Sequence, residues 1–171
     1  MGILHKLLGK KQFADEEERV IVHHGKKIYL GADHAGFELK EQLKKWLGHH
    51  QIEYEDLGNK ILDPNDDYPD FAALVAKKVV REGTYGILVC GSAQGMCIAS
   101  NKFKGVRAVV PFSLKEARLA REHNDANIIC ISGWFHTHHY STKLLRRFLE
   151  TPFPKEERHV RRLNKIRKLE Q

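Results

Sequence analysis

Long apolar runs are missing from this sequence. The apolar runs present, such as Ile128–Ile131, fall far short of the ~20 residues that a membrane-spanning helix requires. Cysteine is scarce: Cys90, Cys97 and Cys130 are the whole set. Three thiols make no disulfide framework and point to a reducing compartment, most simply the cytosol. No secretory signal is visible, and Lys6 stands where a myristoylation motif needs Ser or Thr. Neither G-x-G-x-x-G nor G-x-x-x-x-G-K-[ST] occurs, so the common dinucleotide and nucleotide fingerprints are absent. His136, His138 and His139 lack a recognised zinc spacing and a nearby carboxylate or thiolate companion. No metal or cofactor is therefore expected.

What is present fits one soluble globular domain. The chain has 171 residues, of which 42% are hydrophobic and 30% charged, enough to bury a core without staples. The net charge of +7 is unevenly spread. Between residues 155 and 168, Lys155, Arg158, Arg161, Arg162, Lys165, Arg167 and Lys168 face only Glu156 and Glu157. A solvated amphipathic helix would read this way, and so would an anion clamp for a small phosphorylated ligand. A nucleic-acid patch is disfavoured, because no aromatic residues interleave for base stacking.

Residues 1–26 stand apart as an extension, with a short amphipathic helix expected around Ile3–Leu8. From Lys27 strands and helices alternate. Lys27–Ala32, Ile52–Leu57, Tyr85–Cys90, Arg107–Val110 and Ile128–Ile131 read as strands. The helices expected between and after them are Phe37–Leu47, Phe71–Arg81 with Asp70 as N-cap, a short one from Gln94, Leu114–Glu122 capped by Ser113, Thr137–Leu149 and Glu156–Leu169. Residues 58–70 form a loop. This alternation predicts an α/β fold, a doubly wound, Rossmann-like three-layer sandwich with a five-stranded parallel sheet and a C-terminal helix. The domain is expected over residues 27–171. Such folds bind ligands at the carboxyl ends of their strands.

Several residues there are suited to chemistry. Cys90-Gly91-Ser92-Ala93-Gln94-Gly95-Met96 sits at a strand-to-helix turn, where unpaired backbone N–H groups make an anion or oxyanion site. Gly91 and Gly95 allow close approach of a ligand, and the helix end is expected to lower the Cys90 pKa. A buried cysteine ending a core strand would look the same. Asp33 and His34 follow the first strand, with His34 beside a helix start that favours an anion. His123-Asn124-Asp125 joins a helix to the fifth strand and is also compatible with simple turn capping. Arg158 and Arg162 share one helix face, and two guanidinium forks there suit a phosphate.

Six motifs occur in one order: Gly31-Ala-Asp-His-Ala-Gly-Phe37, Asp67-Tyr-Pro-Asp70, Ile87-Leu-Val-Cys-Gly-Ser-Ala-Gln-Gly95, Ile98-Ala-Ser-Asn-Lys102, Arg121-Glu-His-Asn-Asp-Ala-Asn127 and Arg158-His-Val-Arg-Arg162. Together they resemble the type B ribose-5-phosphate isomerases and the related galactose-6-phosphate isomerase subunits, over about residues 27–168. The resemblance implies proton transfer through an enediolate, without metal or cofactor. It makes Cys90 the base between C1 and C2. Ser92 and the backbone N–H groups of 91–96 would hold the enediolate oxygens. His123, helped by Asp33, would open the furanose ring. His34, Arg158 and Arg162 would bind the phosphate, Asn124 the sugar, and Tyr68 would line the pocket. It also implies a homodimer with shared active sites, with a tetramer left open, and no membrane or nucleic-acid partner. Part of the family replaces the cysteine and uses a glutamate where Met96 stands, so the thiol route is the consistent one here.

The chain departs from the family pattern in four places. Trp134 stands where an arginine is usual, Ala93 replaces a common glycine, the loop before Asp67 differs, and the extension is extra. Trp134 and the altered loop leave room for isomerisation of a six-carbon sugar phosphate such as allose or galactose 6-phosphate. A third reading, non-catalytic binding of a sugar phosphate or nucleic acid, is opposed by the joint retention of Cys90, Asp33 and His123, since a binder needs no base.

Overall fold

The structure is a computed structural model and describes residues 25–170. The helix expected near Ile3–Leu8 lies outside the described residues. Five strands, β1 (Ile28–Ala32), β2 (Tyr54–Asp56), β3 (Gly86–Cys90), β4 (Ala108–Val109) and β5 (Ile128–Ser132), form one sheet in the order β2-β1-β3-β5-β4. Every pairing is parallel. β1, β3 and β5 are buried along their whole length, which explains their unbroken apolar character.

Alternate residues of these strands feed two cores. Ile28, Leu30, Ile87, Val89, Ile129 and Ile131 pack under α1 (Phe37–His49), α4 (Leu114–Asn124) and α5 (His138–Glu150). Tyr29, Leu88, Cys90, Ile128 and Cys130 face α2 (Tyr68–Glu82) and α3 (Gln94–Ser100). Helices therefore cover both faces of the sheet, as a three-layer sandwich. A last helix, α6 (Glu157–Arg167), lies against α4.

Most element boundaries follow the sequence pattern, and the exceptions have physical causes. α2 begins at Tyr68 rather than Phe71, with Asp67 as N-cap. Pro69 falls in its first turn, where the missing N–H goes unused and the fixed φ suits a helix. β4 shrinks to two residues: the Arg107 backbone N–H donates to the Asn127 side chain at 2.8 Å, and pairing with β5 starts only at Ala108. Ser113 caps α4 as expected, accepting from the Glu116 N–H at 3.2 Å.

A buried ion group anchors the loop after β2. Lys40 of α1 has no exposed surface. Its Nζ donates to Asp56 Oδ2 at 2.7 Å and to the Asn59 carbonyl at 2.8 Å. Burial acts to raise the Asp56 pKa, but hydrogen bonds from Lys40 and Lys44 outweigh it and bring the carboxyl below its usual value.

Candidate active site

β1, β3 and β5 end side by side, and their following residues meet there. Cys90 closes β3 in register with Ser132, which closes β5. Beyond the strands the chains stay paired: Gly133 N–H donates to Cys90 O at 2.9 Å, and Trp134 N–H to Gly91 O at 3.2 Å. Ser132 Oγ donates to Gly91 O at 2.6 Å and accepts from the Trp134 and Phe135 N–H groups. This one hydroxyl holds both loops in place.

The turn at His34–Gly36 is wedged between these two ends. A Cβ placed on Gly36 would lie 2.2 Å from Val89 O, and one on Gly133 would lie 2.5 Å from Ala35 O. Asp33, buried at the end of β1, caps this turn by accepting the Gly36 N–H at 3.0 Å. Burial pushes its carboxyl above the usual value, against the Gly36 hydrogen bond.

The glycines of the Cys90 loop serve aromatic rings. A Cβ on Gly91 would meet the Trp134 indole at 2.5 Å, and one on Gly95 would meet the Tyr68 ring at 2.7 Å. Tyr68 and Trp134 thus wall the loop from two sides, both partly exposed. Between them Ala93 takes the left-handed conformation, φ 70°, where glycine is favoured and alanine costs about 1 kcal/mol.

The Cys90 thiol is buried, and the expectation of a lowered pKa is not met. Burial raises it above the ordinary cysteine value. Hydrogen bonds from the Met96 and Ala93 backbones pull the other way without winning, and the neighbouring Asp33 charge adds to the rise. The alternative read from the sequence, a buried cysteine ending a core strand, describes where the sulfur sits. Cys97 and Cys130, left as structural in the sequence, are free thiols packed together on the same side of the sheet, and Cys97 Sγ donates to the Ala108 carbonyl at 3.3 Å.

His34 is held by a residue that the sequence did not single out. Asp66 Oδ1 accepts the His34 backbone N–H at 2.9 Å and pairs with its Nδ1 at 2.8 Å. The Asp66 hydrogen bond raises the His34 pKa against a smaller burial effect, so the ring keeps a positive charge to higher pH. A carboxylate in a polar loop carries no sequence signal for a partner 32 positions away.

The remaining candidates lie elsewhere. His123 and Asn124 end α4, and the Asn124 carbonyl accepts from Arg107 Nε, just before β4, at 3.1 Å. Ala108 stands opposite Ile128, four residues before Ser132, or ~13 Å along the sheet at ~3.3 Å per residue. The His123 ring stacks on His159 of α6, with centroids 4.3 Å apart and planes 13° apart. Burial, then the charges of His123 and Arg158, lowers the His159 pKa. Arg158, bonded to Glu156 at 2.8 Å, and Arg162 are exposed on the same helix.

One chain therefore carries two clusters at opposite ends of its sheet. Asp33, His34, Tyr68, Cys90, Gly91, Ser92 and Gly95 gather at the carboxyl end. His123, Asn124, Arg158 and Arg162 gather at the amino end. The structure does not bring Asp33 and His123 together within one chain. The first cluster offers a thiol beside backbone donors and a histidine cation; the second offers an imidazole and two guanidinium groups.

The chain is similar to known proteins over most of its length. A family model described as Ribose/Galactose Isomerase matches residues 28–166. A Mycoplasma genitalium protein named probable ribose-5-phosphate isomerase B is 44% identical over 141 residues, covering 81% of this chain and 92% of the relative. The ribose-5-phosphate isomerase B of Mycobacterium tuberculosis is 42% identical over 144 residues, covering 82% and 87%. Among solved structures, the Mycoplasma genitalium enzyme with bound ribulose-5-phosphate matches with TM-score 0.81 at 43% identity, over 84% of this chain and 95% of that one. The type B ribose 5-phosphate isomerase of Trypanosoma cruzi matches with TM-score 0.81 at 39% identity, over 85% and 98%.

Proposed function

The chain belongs to the ribose/galactose isomerase family, and from that premise we propose that it interconverts ribose 5-phosphate and ribulose 5-phosphate through an enediolate. The observation that carries this reading is the buried Cys90 sulfur, faced by the Ala93 and Met96 backbone donors in a loop walled by Tyr68. A base stands there beside donors for the oxyanion that its action creates.

Each step is assigned to side chains. Cys90, as thiolate, takes the C2 proton of the open-chain aldose, and the pair left behind forms the enediolate. The thiol then returns the proton to C1, while a proton passes from O2 to O1. Ser92 and the backbone donors of 91–96 hold the two oxygens. His123 donates to the ring oxygen and takes the C1 hydroxyl proton to open the furanose, with Asp33 as its partner. His34, Arg158 and Arg162 hold the phosphate, Asn124 and Tyr68 the sugar.

Because the two clusters lie at opposite ends of one sheet, the complete site is read as assembled from two copies. One copy supplies Cys90, Asp33 and His34, and the other supplies His123, Asn124, Arg158 and Arg162. The isomerase domain is read as residues 27–171, with 1–26 as an extension. No helix among the described residues is long and apolar enough to cross a membrane, and the free thiols suit the cytosol.

The test is turnover of ribose 5-phosphate by wild type and by Cys90→Ala, with allose 6-phosphate as a second substrate. Loss of a positioned base lowers kcat by about 10²–10⁴-fold and leaves KM largely in place, because the thiol acts mainly in the transition state. Near-normal turnover in the variant removes Cys90 from its role. Turnover of allose 6-phosphate alone moves the substrate to six-carbon sugars.

A further inference from the structure

His34 is the one proposed phosphate ligand that shares an end of the sheet with Cys90, and it does not stand alone. Its Nδ1 pairs with Asp66 Oδ1 at 2.8 Å, and its backbone N–H donates to the same oxygen at 2.9 Å. The His34 side chain is 43% exposed, whereas that of Asp66 is 6% exposed. The other Asp66 oxygen accepts from Asn59 Nδ2 at 2.9 Å. The Asn59 carbonyl is in turn held by the buried Lys40 ammonium at 2.8 Å. A line of contacts thus runs from the interior through Asn59 and Asp66 to an exposed imidazole.

Such a line constrains the ring. With Nδ1–H on a carboxylate, Nε2 is the nitrogen left to face outward. An imidazolium donates from that nitrogen, and the adjacent carboxylate favours the charged form. We propose that Asp66 is a positioning residue for phosphate capture, fixing His34 in one orientation and in its cationic form so that Nε2–H is presented to the phosphate. This rests on the isomerase reading of the same site and goes beyond it, by naming what sets the charge of its phosphate ligand.

The charges acting on His34 come from two elements. Asp66 belongs to the β2–α2 loop, and Asp33 to the end of β1. The end of β3, packed on the same turn, brings Cys90, whose thiol burial pushes above the ordinary cysteine value. The start of α1 brings Glu38, which is exposed and forms no ion pair with His34 among the described residues. In the assembled site Arg158 and Arg162 of a second copy oppose the charge. The direction of the pH effect follows. The bond from His34 to phosphate is present while the imidazole is protonated and is lost as pH rises through its raised pKa. Without the Asp66 charge that loss comes at lower pH.

The experiment compares wild type with Asp66→Asn across neutral pH. The His34 ring is followed by NMR titration, with inorganic phosphate as probe, alongside KM and kcat for ribose 5-phosphate. Asp66→Asn is expected to move the His34 titration to lower pH, to weaken the phosphate-induced shift of its resonance, and to raise KM by about three- to tenfold near neutrality, with a smaller change in kcat. Asp66→Glu restores the titration in part. Asn59→Ala, which removes only the bond behind Asp66, moves both readouts the same way by less. In a His34→Gln background Asp66→Asn adds nothing to KM. An unmoved His34 titration, an unchanged KM, or an equal loss in the His34→Gln background overturns the proposal, the last by making Asp66 merely a support for its loop. Absence of wild-type turnover overturns the isomerase reading instead, and the NMR titration with inorganic phosphate still decides the role of Asp66.

Discussion

Gly36→Ala tests how closely the Asp33–Gly36 turn is pressed onto the end of β3. The backbone at Gly36 has φ −101° and ψ −7°, a negative-φ turn conformation open to alanine. Any effect must therefore be steric. The new methyl would sit 2.2 Å from Val89 O, 2.4 Å from Val89 C and 2.9 Å from Cys90 N. All three atoms are backbone in the buried strand β3, so no side chain can swing aside. Restoring an ordinary 3.4 Å contact from 2.2 Å requires the turn to lift by about 1.2 Å. Overpacking of this kind costs roughly 1–3 kcal/mol, or about 2–12 °C in Tm at 2–4 °C per kcal/mol for a domain of this size. The same displacement carries Asp33 and His34 away from Cys90, and a misplacement near 1 Å is worth ~100-fold in kcat/KM. Thermal melts and an isomerase assay read the two effects. Gly48→Ala is the control: it lies in α1 with nothing within 4 Å of the added methyl, and its Tm is expected to equal or exceed that of wild type. A Gly36→Ala protein with wild-type Tm and activity refutes the packing argument.

Other outcomes follow from the same geometry. On the proposed two-copy site, Cys90→Ala and His123→Ala, each inactive alone, should regain about one quarter of wild-type activity when unfolded together and reassembled, because half of the resulting dimers would be mixed and each would hold one intact site; no recovery would place the whole site within one chain. Arg121 is buried, donating to Asp125 Oδ1 and Tyr85 Oη at 2.8 Å and to the Thr151 carbonyl at 3.3 Å, so Arg121→Ala should lose roughly 3–5 kcal/mol in a denaturant melt; a loss no larger than at an exposed arginine would count against that buried network. Burial raises the Cys90 pKa and a base acts deprotonated, so kcat should climb with pH into the alkaline range, and an acidic optimum would speak against the thiol as base.

Local physics made much of this protein legible from its residues. Strand and helix periods are short-range, so the parallel α/β order, the Ser113 cap and the glycine loop after Cys90 could be read directly. Pro69 misled the start of α2 only because a proline that breaks a helix interior is welcome in a first turn. The family resemblance supplied residue roles, but not where one chain puts them. Only the tertiary structure decided three matters. Sheet direction sends His123 to the end opposite Cys90, since α4 returns antiparallel to its strand, and the stacking of His159 on His123 brings α6 and Arg162 there. The pairing of Asp66 with His34 joins two loops that no local pattern connects. The direction of the Cys90 shift turned on burial. A buried cysteine ending a core strand is one reading of the sequence, but which of burial and helix end prevails depends on the whole packed molecule.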